Sequence, residues 1–311
     1  MAQPAYVAVD WGTSSFRLWL MDAENAVLAE RRSGEGMTSA AGIGFGAVLD
    51  AHLAAVSAPD TLPVVICGMA GARQGWVEAG YIDVPAQLSA VAQGAVRVPG
   101  VARDIRILPG IAQRSVDTPD VMRGEETQLL GSLSDSAAGE NLVCMPGTHS
   151  KWVAVSGSTV TSFSSFMTGE VFDVLSKQSI LKHAVDGAEP FDGSHPAFRA
   201  AVKAACARPA MISNLIFTAR SGQLLHGLDA TGAAARLSGI LIGTEIAGGL
   251  TMADRSATIR LVASGRLQGL YEAALETAGL AFETVDADLA VRQGLATAAH
   301  SLFFSTAKAT P

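Results

Sequence analysis

Alternation of apolar and polar positions sets the first elements. Tyr6–Asp10 and Phe16–Asp22 read as strands joined by a polar turn, and Val27–Ser33 extends them into a three-strand meander. Gly46–Ser57 has helical spacing. "PVVICG" at Pro63–Gly68 is a continuous apolar run ending in glycine, which suits a strand buried on both faces. Ile105–Pro109 is another such run. Gly124–Ser132 reads as a helix with two acids in its first turn, where the helix dipole favours them.

The opening pattern then returns. Asn141–Met145 reads as a strand, "PGTHSK" as a turn, and Trp152–Val155 and Ser158–Phe163 as strands. The polar stretch Ser134–Glu140 reads as a linker between two halves. Gly169 to Met252 is mostly helical, Ile259–Ala263 is a strand ending at Ser264-Gly265 with a helix from about Gln268, and Leu289–Phe304 is a final amphipathic helix. The internal echo is one strand, Gly-Thr-hydroxyl turn and strand at the head of each half.

Composition sharpens this picture. A chain of 311 residues with 49% apolar and 16% charged residues supports a folded α/β protein with a core for two lobes. A net charge of −7 without a basic run argues against nucleic acid as a partner. Cys67, Cys144 and Cys206 are widely spaced in apolar contexts and read as core thiols, a usage that fits the cytoplasm. The N-terminus shows no signal-peptide pattern, and the longest charge-free run, Trp152 to Gly169, is laced with Ser and Thr and reads as strands, so no membrane span is expected.

Four places carry candidate chemistry. In Asp10-Trp11-Gly12-Thr13-Ser14-Ser15-Phe16-Arg17, a glycine and hydroxyls let backbone N–H groups approach a polyphosphate. Asp10 at the strand end could hold a hydrated Mg²⁺, which needs only one or two carboxylates, and Arg17 could neutralise phosphate charge. Gly147-Thr148-His149-Ser150-Lys151 repeats the design, with a turn histidine and a cation. The strand ending in Ser264-Gly265 fits close approach by a ligand, or an ordinary strand-to-helix turn. In "MRGEETQ", Glu125 and Glu126 stand where a carboxylate could accept a hydroxyl proton during phosphoryl transfer, or merely complement the helix N-terminus. "EIAGGL", Glu245–Leu250, favours a helix-packing role. No G-x-G-x-x-G, P-loop or G-x-S-x-G signature is present.

These hairpins together resemble the phosphate and adenosine motifs of actin, hexokinase and heat-shock-type ATPases. More narrowly, "VDWGTSSFR", "GMAGARQGWVEAGY", "DVMRGEETQLLG", "MPGTHSKWV" and "FMTGEVFDVLSKQSIL" are similar, in order and spacing, to the 2-dehydro-3-deoxygalactonokinase family across essentially the whole chain. The resemblance implies a two-lobed actin/hexokinase-like, ribonuclease-H-like fold with an interlobe active-site cleft. The N-terminal lobe would span residues 1–138 and the C-terminal lobe 139–311, the last helix being free to pack back on the first lobe. It implies ATP-dependent phosphorylation of 2-dehydro-3-deoxy-D-galactonate at its 6-hydroxyl, with Mg²⁺, in the cytoplasm. Within that pattern Asp10 is the metal anchor. Gly12, Thr13, Ser14, Ser15 and Arg17 bind phosphate, as do Gly147, Thr148, His149, Ser150 and Lys151. Ser264 and Gly265 bind adenosine. The superfamily usually places an Asp as the base at the start of the helix before the second lobe; this chain has Glu125 and Glu126 there, with Asp120 and Glu170 as competitors.

The substrate is an acid and needs a cation inside an acidic protein. Arg73 and Arg123 are the candidates, and Trp76 could pack against the carbon chain. A same-fold kinase of another small sugar or sugar acid, or a non-catalytic kinase-like sugar sensor, stays open at this stage. The expected partners are the sugar acid and ATP; neither nucleic acid nor a membrane is expected, and a homo-oligomer is compatible with the sequence.

Overall fold

A computed structural model describes residues 2–133, 139–253 and 257–304. The expected linker therefore lies mostly outside the described residues. The chain forms two compact units, Met1–Ala137 with Ser158–Val160 and Ala287–Pro311, and Ala138–Gly157 with Thr161–Asp286. The C-terminal segment beginning at Ala287 groups with the first unit, the alternative that the sequence leaves open for the last helix. Among the described residues no helix is long and apolar enough to cross a membrane.

The first unit begins with β1 (Pro4–Trp11), β2 (Phe16–Asp22) and β3 (Val27–Ser33), followed by α1 (Met37–Ile43), α2 (Phe45–Ala55) and β4 (Val64–Gly68). Short elements follow: β5 (Tyr81–Asp83), β6 (Ala86–Gln87), α3 (Ser89–Gln93), β7 (Val96–Arg97), β8 (Ile105–Ile107), β9 (Gly110–Gln113) and β10 (Asp120–Met122). Helix α4 (Glu125–Ser132) completes the N-terminal run. The main sheet has the order β3-β2-β1-β4-β8-β7, and β10-β9-β5 form a small second sheet. β1 is antiparallel to β2 and parallel to β4, so its flanks see apolar neighbours on both sides. Val7, Val9, Trp11, Phe16, Leu18 and Ile66 are buried together in its core.

The second unit repeats this plan. β11 (Glu140–Met145), β12 (Ser150–Ser156) and β13 (Thr159–Phe166) precede five helices: α5 (Thr168–Gln178), α6 (Lys182–Val185), α7 (Pro196–Ala207), α8 (Ile212–His226) and α9 (Ala230–Gly249). Then come β14 (Thr258–Ala263), α10 (Gly265–Thr277) and β15 (Phe282–Asp286). Its sheet runs β15-β14-β11-β12-β13. β11 is antiparallel to β12 and parallel to β14, which is parallel to β15. Three antiparallel strands beside parallel ones, in equivalent order in each unit, are the ribonuclease-H-like arrangement expected. The helical stretch 169–252 is as expected too. The Gly248-Gly249 pair of α9 is a packing site: a Cβ on Gly249 would lie 2.1 Å from the Trp152 ring, and one on Gly248 2.8 Å from Phe166.

Helix α11 (Ala287–Ala299), followed by a π-helical turn at His300–Phe304, returns to the first unit. It crosses α4 with the two backbones touching. A Cβ on Gly294 would sit 1.9 Å from the Thr127 carbonyl, and one on Gly131 equally near that of Ala290. Only glycine permits this approach, and it fixes the start of α4. Cys67 and Cys144 are buried as expected, whereas Cys206 is only partly so.

Candidate active site

In the first unit the ends of β1 and β4 and the start of α4 meet. Gly68 has φ +89°, and a Cβ there would lie 2.6 Å from the Trp11 carbonyl. Gly124 has φ +108°, and its own Cβ would come within 3.6 Å of the Gly68 α-carbon. Both glycines have positive φ, which favours glycine, and at Gly68 a side chain would also clash with the Trp11 carbonyl, so these glycines let three chain segments meet in one place.

Asp10 is half-buried at the end of β1, opposite Arg17 across the hairpin and beside Cys67 of β4. The Cys67 thiol donates to its Oδ1 at 3.7 Å. Burial pushes the Asp10 carboxyl above its usual range, against the pull of Arg17. The turn is closed by Gly12 N–H to the Ser15 carbonyl at 2.9 Å, and leaves Thr13, Ser14 and Ser15 exposed. Met37 and Thr38 N–H groups bond the Gly12 and Thr13 carbonyls, so α1 holds the turn from behind. Arg17 is not unengaged: its guanidinium pairs with Asp288 of α11, which also accepts from Arg32 at 3.1 Å.

The two glutamates differ sharply. Glu126 is fully buried; Oε2 accepts the Gly124 N–H at 2.6 Å and Oε1 the Thr127 hydroxyl at 3.1 Å. Burial, then the charge of Glu125, pushes its pKa up to about 8. Glu125 is half-buried and accepts the Arg123 N–H at 3.1 Å. Burial likewise raises the Cys67 thiol, and the charges of Asp10 and Glu126 both add to that, so the thiol lies near both acids. Asp120 lies on β10, bonded to the Val121 N–H, and Glu170 lies in the second unit.

Arg123 stacks on Tyr81, its Cζ 4.5 Å from the ring centroid, and donates from Nη2 to the Gly80 carbonyl at 3.2 Å. Its Nε and Nη1 are buried without a hydrogen-bond partner. Orphaned guanidinium donors are costly unless an acceptor completes them. Arg73 is not brought to this place; it is largely exposed, with a loose 3.7 Å pair to Glu78. Trp76 packs on Phe45 (6.1 Å, 14° between planes) and edge-on to Trp11, so aromatic neighbours occupy much of its ring.

In the second unit the turn Pro146–His149 presents Thr148 and His149 to solvent. His149 Nε2 bonds Glu170 Oε2 at 2.5 Å, and Glu170 N–H donates to the Thr148 carbonyl at 3.1 Å. A Cβ on Gly169 would lie 2.6 Å from the Gly147 carbonyl, so α5 starts directly against the turn. Ser150 and Lys151 correct the expectation of an open series of donors. Both are buried: the Ser150 hydroxyl pairs with that of Tyr271 at 3.1 Å, and the Lys151 ammonium bonds Ser165 of β13. Once the turn enters β12, its side chains face packed neighbours.

Ser264 adopts an extended conformation and Gly265, at φ +61°, starts α10. Just beyond them a partly open cavity is lined by Gly147, Thr168, Phe172, Phe191, Arg266 and Tyr271 among others. Arg266 lies over the Phe191 ring at 4.7 Å. The sequence reading passed over Phe172, Phe191 and Arg266; the position of Arg266 directly after Ser264-Gly265 was the available signal. The cavity joins the second hairpin to the start of α10 within one unit.

Among the described residues no three His, Cys, Asp or Glu side chains converge to hold a metal. One or two carboxylates with waters and phosphate oxygens suffice for Mg²⁺, and Asp10 with its partly neutralised surroundings fits that role.

The 2-keto-3-deoxy-galactonokinase family model matches residues 10–298. A Rhizobium meliloti (strain 1021) protein assigned as a 2-dehydro-3-deoxygalactonokinase is 58% identical, the alignment covering 96% of this chain and 97% of that one. The 2-dehydro-3-deoxygalactonokinase of Escherichia coli (strain K12) is 34% identical over 96% of this chain and 98% of its own. A crystal structure of a protein from Sinorhizobium meliloti assigned the same activity superposes with a TM-score of 0.94 at 58% identity, covering 96% of this chain and 99% of that one. The chain belongs to the 2-keto-3-deoxy-galactonokinase family and is a kinase of that sugar acid.

Proposed function

We propose that the chain transfers the ATP γ-phosphoryl group to the 6-hydroxyl of 2-dehydro-3-deoxy-D-galactonate, giving the 6-phosphate that an aldolase cleaves in galactonate breakdown. The observation that carries this reading is the Glu125–Glu126 pair at the start of α4, with Glu126 acting on the same Cys67 thiol as Asp10. Glu126 keeps its proton below about pH 8, and its neighbour Glu125 is half-buried and within reach of solvent. Glu125 is the base: its carboxylate accepts the hydroxyl proton as the oxygen attacks phosphorus. Glu126 supports it from behind.

In the first unit, the exposed turn Gly12–Ser15 offers backbone and hydroxyl donors to phosphate. Arg17 adds positive charge, moderated by Asp288. Asp10 would hold Mg²⁺ through water, and the ion supplies charge neutralisation on the phosphates. Arg123, with two orphaned donors on a rigid aromatic support, binds the substrate carboxylate. In the second unit, Gly147, Thr148 and His149 offer phosphate donors, and the cavity beside Ser264 and Gly265 takes the nucleoside. Its apolar walls and stacked Arg266–Phe191 pair suit a planar base.

The test is a coupled ADP-release assay on 2-dehydro-3-deoxygalactonate and its gluconate-derived epimer, with the product's phosphorylated position assigned by NMR. Preference for the galactonate-derived acid and phosphate on oxygen 6 are expected. A different position, or a preference for the epimer, overturns the specificity.

A further inference from the structure

Beneath the second hairpin lies a buried carboxylate with no part in the chemistry above. Glu245 of α9 is 1% exposed. Its Oε1 accepts the Trp152 indole N–H at 2.9 Å and its Oε2 the Tyr271 hydroxyl at 2.7 Å. The Thr168 hydroxyl also hydrogen-bonds to it, and the single proton of the Ser150 hydroxyl has both this carboxylate and the Tyr271 oxygen within reach. A carboxylate has about four lone-pair sites, and these groups engage most of them, opposing the rise in pKa that burial imposes on it.

These hydrogen-bonding groups come from three elements. Ser150 and Trp152 begin β12, immediately after the turn that presents Thr148 and His149. Thr168 is the first residue of α5, which abuts that turn. Tyr271 is on α10, which begins at Gly265. Thr168 and Tyr271 also line the cavity between hairpin and α10. An acceptor-only group is what such a meeting of donors requires. An amide would turn an N–H₂ toward donors on one side and leave them unpaired. Gly249, one turn along α9, lets the helix lie on the Trp152 ring and so brings Glu245 under the hairpin.

We infer that Glu245 is a positioning residue for the nucleotide: by binding β12, α5 and α10 to one carboxylate it fixes the phosphate turn and the nucleoside cavity in a single geometry. This rests on the assignment of that hairpin and cavity to ATP. Glu245 itself does not touch the ligand; it acts through Ser150, Thr168 and Tyr271.

The experiment measures kcat and both KM values, with melting temperatures, for wild type, Glu245→Gln, Thr168→Val and Tyr271→Phe. Glu245→Gln is expected to raise KM for ATP about tenfold or more while KM for the sugar acid stays within about twofold. Thr168→Val and Tyr271→Phe, each deleting one donor and keeping the carboxylate, raise KM for ATP by smaller factors. A purely structural carboxylate lowers the melting temperature and leaves KM for ATP unmoved in the folded enzyme, and that result overturns the inference. Should Glu245→Gln fail to fold, an unchanged KM for ATP in both Thr168→Val and Tyr271→Phe overturns it equally. If wild type releases no ADP with either sugar acid, it is the proposed function that fails; ATP turnover by wild type with unmoved variants defeats only this inference.

Discussion

The Cys67 thiol donates to Oδ1 of Asp10 at 3.7 Å, across the parallel pair formed by β1 and β4. The same thiol feels the charge of Glu126, so it stands near both acids of the proposed site. Asp10→Asn should lower kcat by about a hundredfold or more, in line with losing one charged group that stabilises transferring phosphate, with melting unchanged. Cys67→Ala removes one weak donor of about 1 kcal/mol and should cost only a few-fold in kcat, together with a higher magnesium requirement. Equal activity of Asp10→Asn and wild type in an ADP-release assay would remove Asp10 from the mechanism.

The glutamate pair gives opposite expectations for its two members. Glu125→Gln should lower kcat by about 10²–10⁴-fold, the usual worth of a general base, with little change in stability. Glu126→Gln should act mainly on stability. The pKa of Glu126 is raised from 4.5 to about 8, so the folded state binds its proton more tightly than the unfolded chain does. Its contribution is therefore fully present below about pH 4.5 and is lost as pH rises through about 8, by a few kcal/mol in all. Urea midpoints between pH 5 and 9 should fall more steeply for wild type than for Glu126→Gln. Parallel curves would show that Glu126 does not titrate in this window.

Arg123→Lys should raise KM for the sugar acid by about 10–100-fold, or about 1.4–2.7 kcal/mol, and leave KM for ATP in place. A lysine keeps the charge but loses the planar fork and its stacking on Tyr81. The split between the two KM values is the measurement; a rise in KM for ATP alone would place Arg123 elsewhere.

Gly294→Ala tests the crossing of α4 and α11. Its Cβ has to displace the Thr127 carbonyl, 1.9 Å away in the present backbone. A loss of about 1–3 kcal/mol or more is expected from overpacking, with a fall in kcat because α4 carries both glutamates. Thermal melting and turnover should decline together; a stable but inactive variant would separate the helix crossing from the fold.

Much of the molecule was legible from local pattern. Phe16–Asp22 and Val27–Ser33 are short runs bounded by polar turn residues, and the observed strands have those bounds. Two Gly-Thr turns between apolar strands announced the duplicated plan before any tertiary pairing was known. The strands Tyr81–Asp83, Ala86–Gln87 and Gly110–Gln113 were not legible. They are two to four residues long, too short for a period, and exist because tertiary neighbours offer hydrogen-bond partners. β15 escaped for a related reason: Phe282–Asp286 carries acids on a partly exposed edge, and its pairing with β14 decides it.

The candidate site divides along the same line. The sequence by itself determined which chemistry was on offer: an acid at a strand end, hydroxyl turns, a glutamate pair at a helix start and an arginine just before it. Those are properties of adjacent residues, set by turn and capping preferences that act within a few positions. Only the tertiary structure decided which glutamate is buried, that Ser150 and Lys151 face inward, and that Arg17 meets Asp288 from a helix about 270 residues away. It also gathered Trp152, Thr168 and Tyr271 around Glu245. Burial and long-range pairing set pKa values and free donors, and both are sums over neighbours distant in the chain, which no local pattern encodes.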